Sequence, residues 1–104
     1  MSVQELTALI QIQQATRQDN LSIIDYYADF CAPCRQIAPK IKDLAILYPN
    51  VSFYKVDVEN VDDAATAYNV NAMPTFHFWK NGILLETIVG ANLSAFKSVL
   101  KKYA

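Results

Sequence analysis

An apolar run, Leu21-Ser22-Ile23-Ile24-Asp25-Tyr26-Tyr27-Ala28, leads into Cys31-Ala32-Pro33-Cys34, and a helix-forming segment from Arg35 to Tyr48 follows at once. No other feature constrains the chain as much as this junction. It holds the only two cysteines of the sequence, three positions apart, between a strand and a helix. The run before them is continuous rather than alternating, which predicts a strand covered on both faces. A Cys-x-x-Cys pair at a strand-to-helix boundary is the layout of a dithiol that opens and closes in use.

The remaining segments extend the pattern. Val3 to Leu6 reads as a short edge strand. Thr7 suits the N-cap of a helix carrying Leu9, Ile12 and Ala15 on one stripe, out to Arg17. After the cysteines, Ile37, Ile41, Leu44 and Tyr48 fall on one helical face, and Pro39 inside that helix predicts a kink. Val51 to Val58 reads as a second core strand and Asp62 to Tyr68 as a short helix with two acids in its first turn. Thr75 to Trp79 and Ile83 to Val89 flank Asn81-Gly82, a hairpin turn signal. Asn92 caps a last helix whose inward stripe is Leu93, Phe96, Leu100 and Tyr103. The order β-α-β-α-β-α-β-β-α predicts an α/β fold: a central mixed sheet of five strands flanked by four helices. Strands joined through helices are expected to pair in parallel, and the last two to form an antiparallel hairpin.

A length of 104 residues predicts a single domain spanning 1–104, and 53% hydrophobic residues supply a core without disulfide staples. The formal net charge of −1 is spread along the chain, with no basic stripe for nucleic acid. Met1-Ser2-Val3-Gln4-Glu5 lacks the charged and apolar regions of a secretory signal, and no apolar run approaches the ~20 residues of a membrane span. The expectation is a soluble, cytoplasmic protein that binds neither nucleic acid nor membrane and is a monomer. In a reducing compartment, paired cysteines are catalytic or metal-binding more often than structural.

Three readings of the pair compete. Zinc needs three or four protein ligands. Two cysteines and His77, mid-strand between Phe76 and Phe78, do not supply them within one chain, although a site shared between chains stays open. A structural staple closing so short a loop contributes only about 2 kcal/mol. The redox reading explains most: Cys31 stands at a helix N-terminus, where free N–H groups and the dipole favour a thiolate. Pro33 in the first turn fits its fixed φ, and the i, i+3 spacing returns Cys34 to the side of Cys31.

Taken together, Asp25-Tyr26-Tyr27-Ala28-Asp29-Phe30-Cys31-Ala32-Pro33-Cys34, Ala38-Pro39, Lys55-Val56-Asp57-Val58, Met73-Pro74-Thr75-Phe76, Lys80-Asn81-Gly82 and Val89-Gly90-Ala91 make the chain resemble the thioredoxin family over essentially its whole length. The resemblance implies the thioredoxin fold and a general protein disulfide reductase that cycles between dithiol and disulfide and needs no bound cofactor or metal. It implies Cys31 as the exposed attacking thiol, Cys34 as the buried resolving thiol, and Asp25 as a buried carboxyl that exchanges a proton with Cys34. An acid within an apolar strand has its pKa raised by desolvation; the plain alternative is a satisfied core acid. Lys55 matches a neighbour that pairs with that carboxylate, or is a solvated strand-end charge. Ala32, Pro33 and Lys55 are the expected redox-tuning positions.

Pro74 matches the family's cis-proline, and the backbone of Met73 is then free to bind an extended client segment as an added strand. Phe30, Ala72, Met73, Pro74, Gly90 and Ala91 are the expected client-binding positions, with Gly90 letting a neighbouring loop approach. The implied partners are an NADPH-dependent flavoprotein thioredoxin reductase and disulfide-bearing clients such as peroxiredoxins, ribonucleotide reductase and methionine sulfoxide reductases.

The chain departs from the usual Trp-Cys-Gly-Pro-Cys pattern at Phe30 and Ala32, and Tyr27 stands where Trp is common. Ala32 stiffens the turn relative to Gly, which bears on the reduction potential rather than on the chemistry. The single Trp79 lies in a later strand, so little redox-dependent fluorescence is expected. His77 is expected at the edge of the core. Two rivals remain. One is an oxidase or isomerase of the same fold, disfavoured by the missing signal segment and by a Lys101-Lys102-Tyr103-Ala104 ending that is no retention tail. The other is a binding module in which the dithiol is dispensable.

Overall fold

A computed structural model describes residues 2–104. In chain order the elements are β1 (Val3–Glu5), α1 (Leu9–Thr16), β2 (Ser22–Tyr27), α2 (Ala32–Leu47), β3 (Ser52–Asp57), α3 (Asp62–Ala67), β4 (Thr75–Lys80), β5 (Ile83–Val89) and α4 (Leu93–Tyr103). The expected order of elements is the observed one. The strands form one mixed sheet, β1-β3-β2-β4-β5. β1 and β2 run parallel to β3, while β4 runs antiparallel to both β2 and β5.

The pairing rule fails at one connection. β4 follows β3 through a helix, yet it pairs antiparallel with β2. β3 already has β1 and β2 as neighbours, so β4 must dock on the far side of β2. The six residues of α3 span about 9 Å, against about 20 Å for a six-residue strand. The helix cannot carry the chain back along the sheet, so β4 enters from the end at which β3 left.

Each face of the sheet buries its own core. On one side, Ile37, Ile41 and Leu44 of α2 and Phe96 and Leu100 of α4 pack on Ile23, Phe53, Phe76 and Phe78. On the other, Ile12 and Ala15 of α1 and Ala64 of α3 pack on Ile24, Tyr26 and Val56. β2 is therefore buried on both faces, as its unbroken apolar run requires.

One helix start differs from expectation. The residue before α1 is Ala8, without a side-chain cap; Thr7 instead donates its backbone N–H to Gln11 Oε1 at 2.7 Å. α2 begins at Ala32, which puts Cys31 at the N-cap and Pro33 in the first turn, as expected. Pro39 lies within α2, and Asn92 caps α4 by accepting the Ala95 N–H at 3.0 Å. The β4–β5 hairpin turns at Asn81 and Gly82, both with positive φ.

Candidate active site

β2 ends beside the start of β4, because Tyr26 pairs with Thr75, and Thr75 also pairs with Val89 at the end of β5. One end of the sheet therefore collects three segments: Phe30–Cys34, Met73–Pro74, and Gly90–Ala91. The Gly90 N–H donates to the Pro74 carbonyl at 2.8 Å, tying two of them together. The Met73–Pro74 peptide is cis. Cys31 and Met73 pack against the same core cluster.

Cys31 and Cys34 form a disulfide, with Cα atoms 5.3 Å apart. The sulfurs are not equivalent. Cys31 is half-buried, and its Sγ accepts the backbone N–H of Cys34 at 3.2 Å. Cys34 is 4% exposed. Phe30, next to the more open sulfur, is 70% exposed, an unusual state for a phenylalanine in a chain whose other aromatic side chains mostly fill the core. Ala32, Pro33, Ala72 and Ala91 are exposed around it, Met73 and Gly90 are half-buried, and Pro74 is buried. Gly90 has φ +99, and a Cβ there would meet nothing within 4 Å. The glycine serves backbone conformation, not the close loop approach expected for it.

Asp25 lies behind the dithiol. It lines a small pocket together with Cys34, Ala38 and Lys55. It also lines a cleft of about 640 Å³ between the sheet and α2, bounded by Val3, Arg35, Pro39, Lys42 and Lys55. The carboxyl is 7% exposed. Burial pushes its pKa up to about 7, against the opposing pull of Lys55 and with a further push from Glu5. The acid thus titrates where a proton acceptor at neutral pH needs to. Among the described residues, the ion pair of Lys55 goes to Glu5, at 3.7 Å, rather than to Asp25. No pattern in residue order points to that partner, because Glu5 meets Lys55 only through the β1–β3 register.

His77 lies deeper than the expected core edge. It is 4% exposed and meets the Tyr26 ring edge-on at 5.1 Å, on the face away from Asp25. Among the described residues, no three His, Cys, Asp or Glu side chains are grouped so as to hold a metal ion.

A Cys-x-x-Cys disulfide with one accessible sulfur at a helix N-cap, and a carboxyl of raised pKa beside the other, is the site of a thiol–disulfide oxidoreductase. The thioredoxin family model matches residues 4–102. Thioredoxin 1 of Plasmodium falciparum is 37% identical over 102 residues, covering 98% of each chain. The solved thioredoxin of Fasciola hepatica superposes with a TM-score of 0.94 at 35% identity, covering 98% of this chain and all of that one. A chain solved in work on thiol resolution in a yeast mitochondrial 1-Cys peroxiredoxin via glutathione/thioredoxin systems superposes at 0.91 with 37% identity, covering 97% and 95%. The chain belongs to the thioredoxin family, and its activity is protein-disulfide reduction.

Proposed function

We propose that the chain is a general electron carrier in which Cys31 attacks, Cys34 resolves and Asp25 handles the proton. The Cys31 thiolate attacks one sulfur of a client disulfide. The Cys31–client disulfide forms, the client bond breaks, and the other client sulfur leaves as a thiolate that takes a proton. Cys34 then passes its proton to the Asp25 carboxylate and attacks the Cys31 sulfur, releasing the second client thiol. The client gains two electrons and the protein ends as the Cys31–Cys34 disulfide. The observation that carries the order is the unequal burial of the two sulfurs.

Phe30, Ala72, Met73, Pro74, Gly90 and Ala91 make the client surface, and their shared end of the sheet supports that reading. Ala32 and Pro33 tune the dithiol through the stiffness of the turn, and Lys55 through its charge beside Asp25. An NADPH-dependent flavoprotein thioredoxin reductase restores the dithiol. Peroxiredoxins lead the candidate clients, consistent with the setting of the yeast relative; ribonucleotide reductase and methionine sulfoxide reductases follow from family membership. We assign one domain over 1–104, a monomer working in the cytosol. The test is NADPH oxidation in a mixture of thioredoxin reductase, this chain, a peroxiredoxin and peroxide. Turnover that needs all components and disappears in Cys31→Ser is expected. Biological function retained in a Cys31→Ser, Cys34→Ser variant would favour a binding module instead.

A further inference from the structure

Register places three charged residues in one row across neighbouring strands. Glu5 of β1 is the Cα partner of Lys55 of β3, and Lys55 is the Cα partner of Asp25 of β2. Cross-strand partners point to the same face and lie about 5 Å apart. Lys55 thus stands between two carboxyls, and its ammonium is 3.7 Å from Glu5 Oε1. Asp25 Oδ1 is buried without a hydrogen-bond partner among the described residues.

Glu5 is itself held. The Tyr27 hydroxyl, two residues beyond Asp25 on the same face, donates to the Glu5 carboxylate, with 2.8 Å to Oε2 and 3.0 Å to Oε1. The Tyr27 ring also lies under the Lys55 ammonium, 5.6 Å from Nζ to the centroid. One side chain therefore grips both members of the ion pair.

We propose that Glu5, anchored by Tyr27, is a positioning residue for the dithiol reaction: by holding Lys55, it sets how much of that positive charge reaches Asp25. The proposal rests on Asp25 handling the proton of Cys34. An opposite charge lowers a carboxyl's pKa and a like charge raises it. Glu5 therefore keeps Asp25 protonated in two ways, by its own charge and by drawing the ammonium aside. Burial is the main cause of the raised Asp25 pKa; Lys55 opposes it and Glu5 adds to it. The other groups around Asp25 and this row are Asp57 on β3, Asp29 just past β2, and Cys34, Arg35 and Lys42 on α2; its register partner on β4 is the apolar Phe76. Arg35 is directed elsewhere, donating to the Asp29 carbonyl.

The test follows the Asp25 carboxyl by carbon NMR across pH in the oxidised whole chain, where neither cysteine titrates. In Glu5→Gln the midpoint moves down by about half a pH unit, a screened value for partly exposed charges. Tyr27→Phe keeps the ring and removes the hydroxyl, and moves the midpoint the same way by less. Single-turnover resolution of a Cys31 mixed disulfide shifts its pH profile downward in Glu5→Gln. A midpoint that stays or rises in either variant overturns the proposal. Asp25→Asn separates the underlying reading: if it leaves the resolution profile unchanged, Asp25 does not handle the proton, whatever Glu5 does to its titration.

Discussion

Cys34 donates its backbone N–H to the Cys31 sulfur at 3.2 Å, so the more open sulfur of the pair is the one seated on the N-terminus of α2. After reduction, that N–H and the helix dipole act on the Cys31 thiolate, while Cys34 is shielded. Limiting iodoacetamide at neutral pH is expected to modify Cys31 at least about tenfold faster than Cys34, read by peptide mass spectrometry. Cys34→Ser accumulates mixed disulfides with a peroxiredoxin, and Cys31→Ser does not. Faster labelling of Cys34 would reverse the assigned order, and equal labelling would remove its basis.

Asp25 links the site to stability. Its folded pKa of about 7 lies above the ordinary 3.8. Between these values the folded state holds more protons than the unfolded state, so this group's contribution falls as pH rises from about 4 to about 7. Above pH 7 a buried charge has to be carried. Asp25→Asn removes that penalty, and at pH 8 it is expected to be more stable than the parent by roughly 2–4 kcal/mol, with the gap closing near pH 4. Urea unfolding at both pH values measures it. A variant less stable at pH 8 would mean that the carboxylate is satisfied where it sits.

His77 has the opposite slope. Burial lowers its pKa from 6.5 to about 4. The unfolded chain then binds the extra proton first, and stability falls as pH drops from about 6.5 to about 4. Across that window the slopes of Asp25 and His77 oppose one another and flatten the parent's curve. A His77→Gln variant loses the acid-side slope and is expected to lose about 2 kcal/mol less than the parent between pH 7 and pH 4. An unchanged slope in urea titrations would show that His77 charges freely in the folded state.

Trp79 pairs with Ser22 at the far end of β2 from the cysteines, and it packs edge-on against Tyr68 with centroids 6.0 Å apart. It lies four positions along β4 from Thr75, about 13 Å away. Contact quenching by the disulfide does not reach that far. Emission is expected to change by less than about a fifth on reduction. A severalfold change would require the indole to sit near the dithiol.

Much of this was legible in residue order. The unbroken apolar run of β2, the Asn81-Gly82 turn and the Asn92 cap each carry a local physical signal, and each element formed where that signal lay. The dithiol was legible as two cysteines spaced i, i+3 at one strand-to-helix junction, and Asp25 was singled out by the family resemblance. What stayed hidden depends on register or on length. The Glu5–Lys55 pair joins residues 50 positions apart in sequence, through a strand of three residues. The antiparallel entry of β4 follows from the shortness of α3, which the pattern of elements does not weigh. Thr7 carried a capping signal, but Gln11 reaches back to its N–H and the helix starts one residue later.

The most direct measurement is the equilibrium reduction potential of Cys31–Cys34, by thiol trapping in defined redox buffers at neutral pH. A disulfide reductase requires a value below roughly −230 mV, on a scale where thioredoxin itself lies near about −270 mV. That is the predicted result, with Phe30 and Ala32 in place of the usual Trp and Gly. A value above about −180 mV would contradict it, since the pair would then take electrons from protein thiols rather than give them to disulfides.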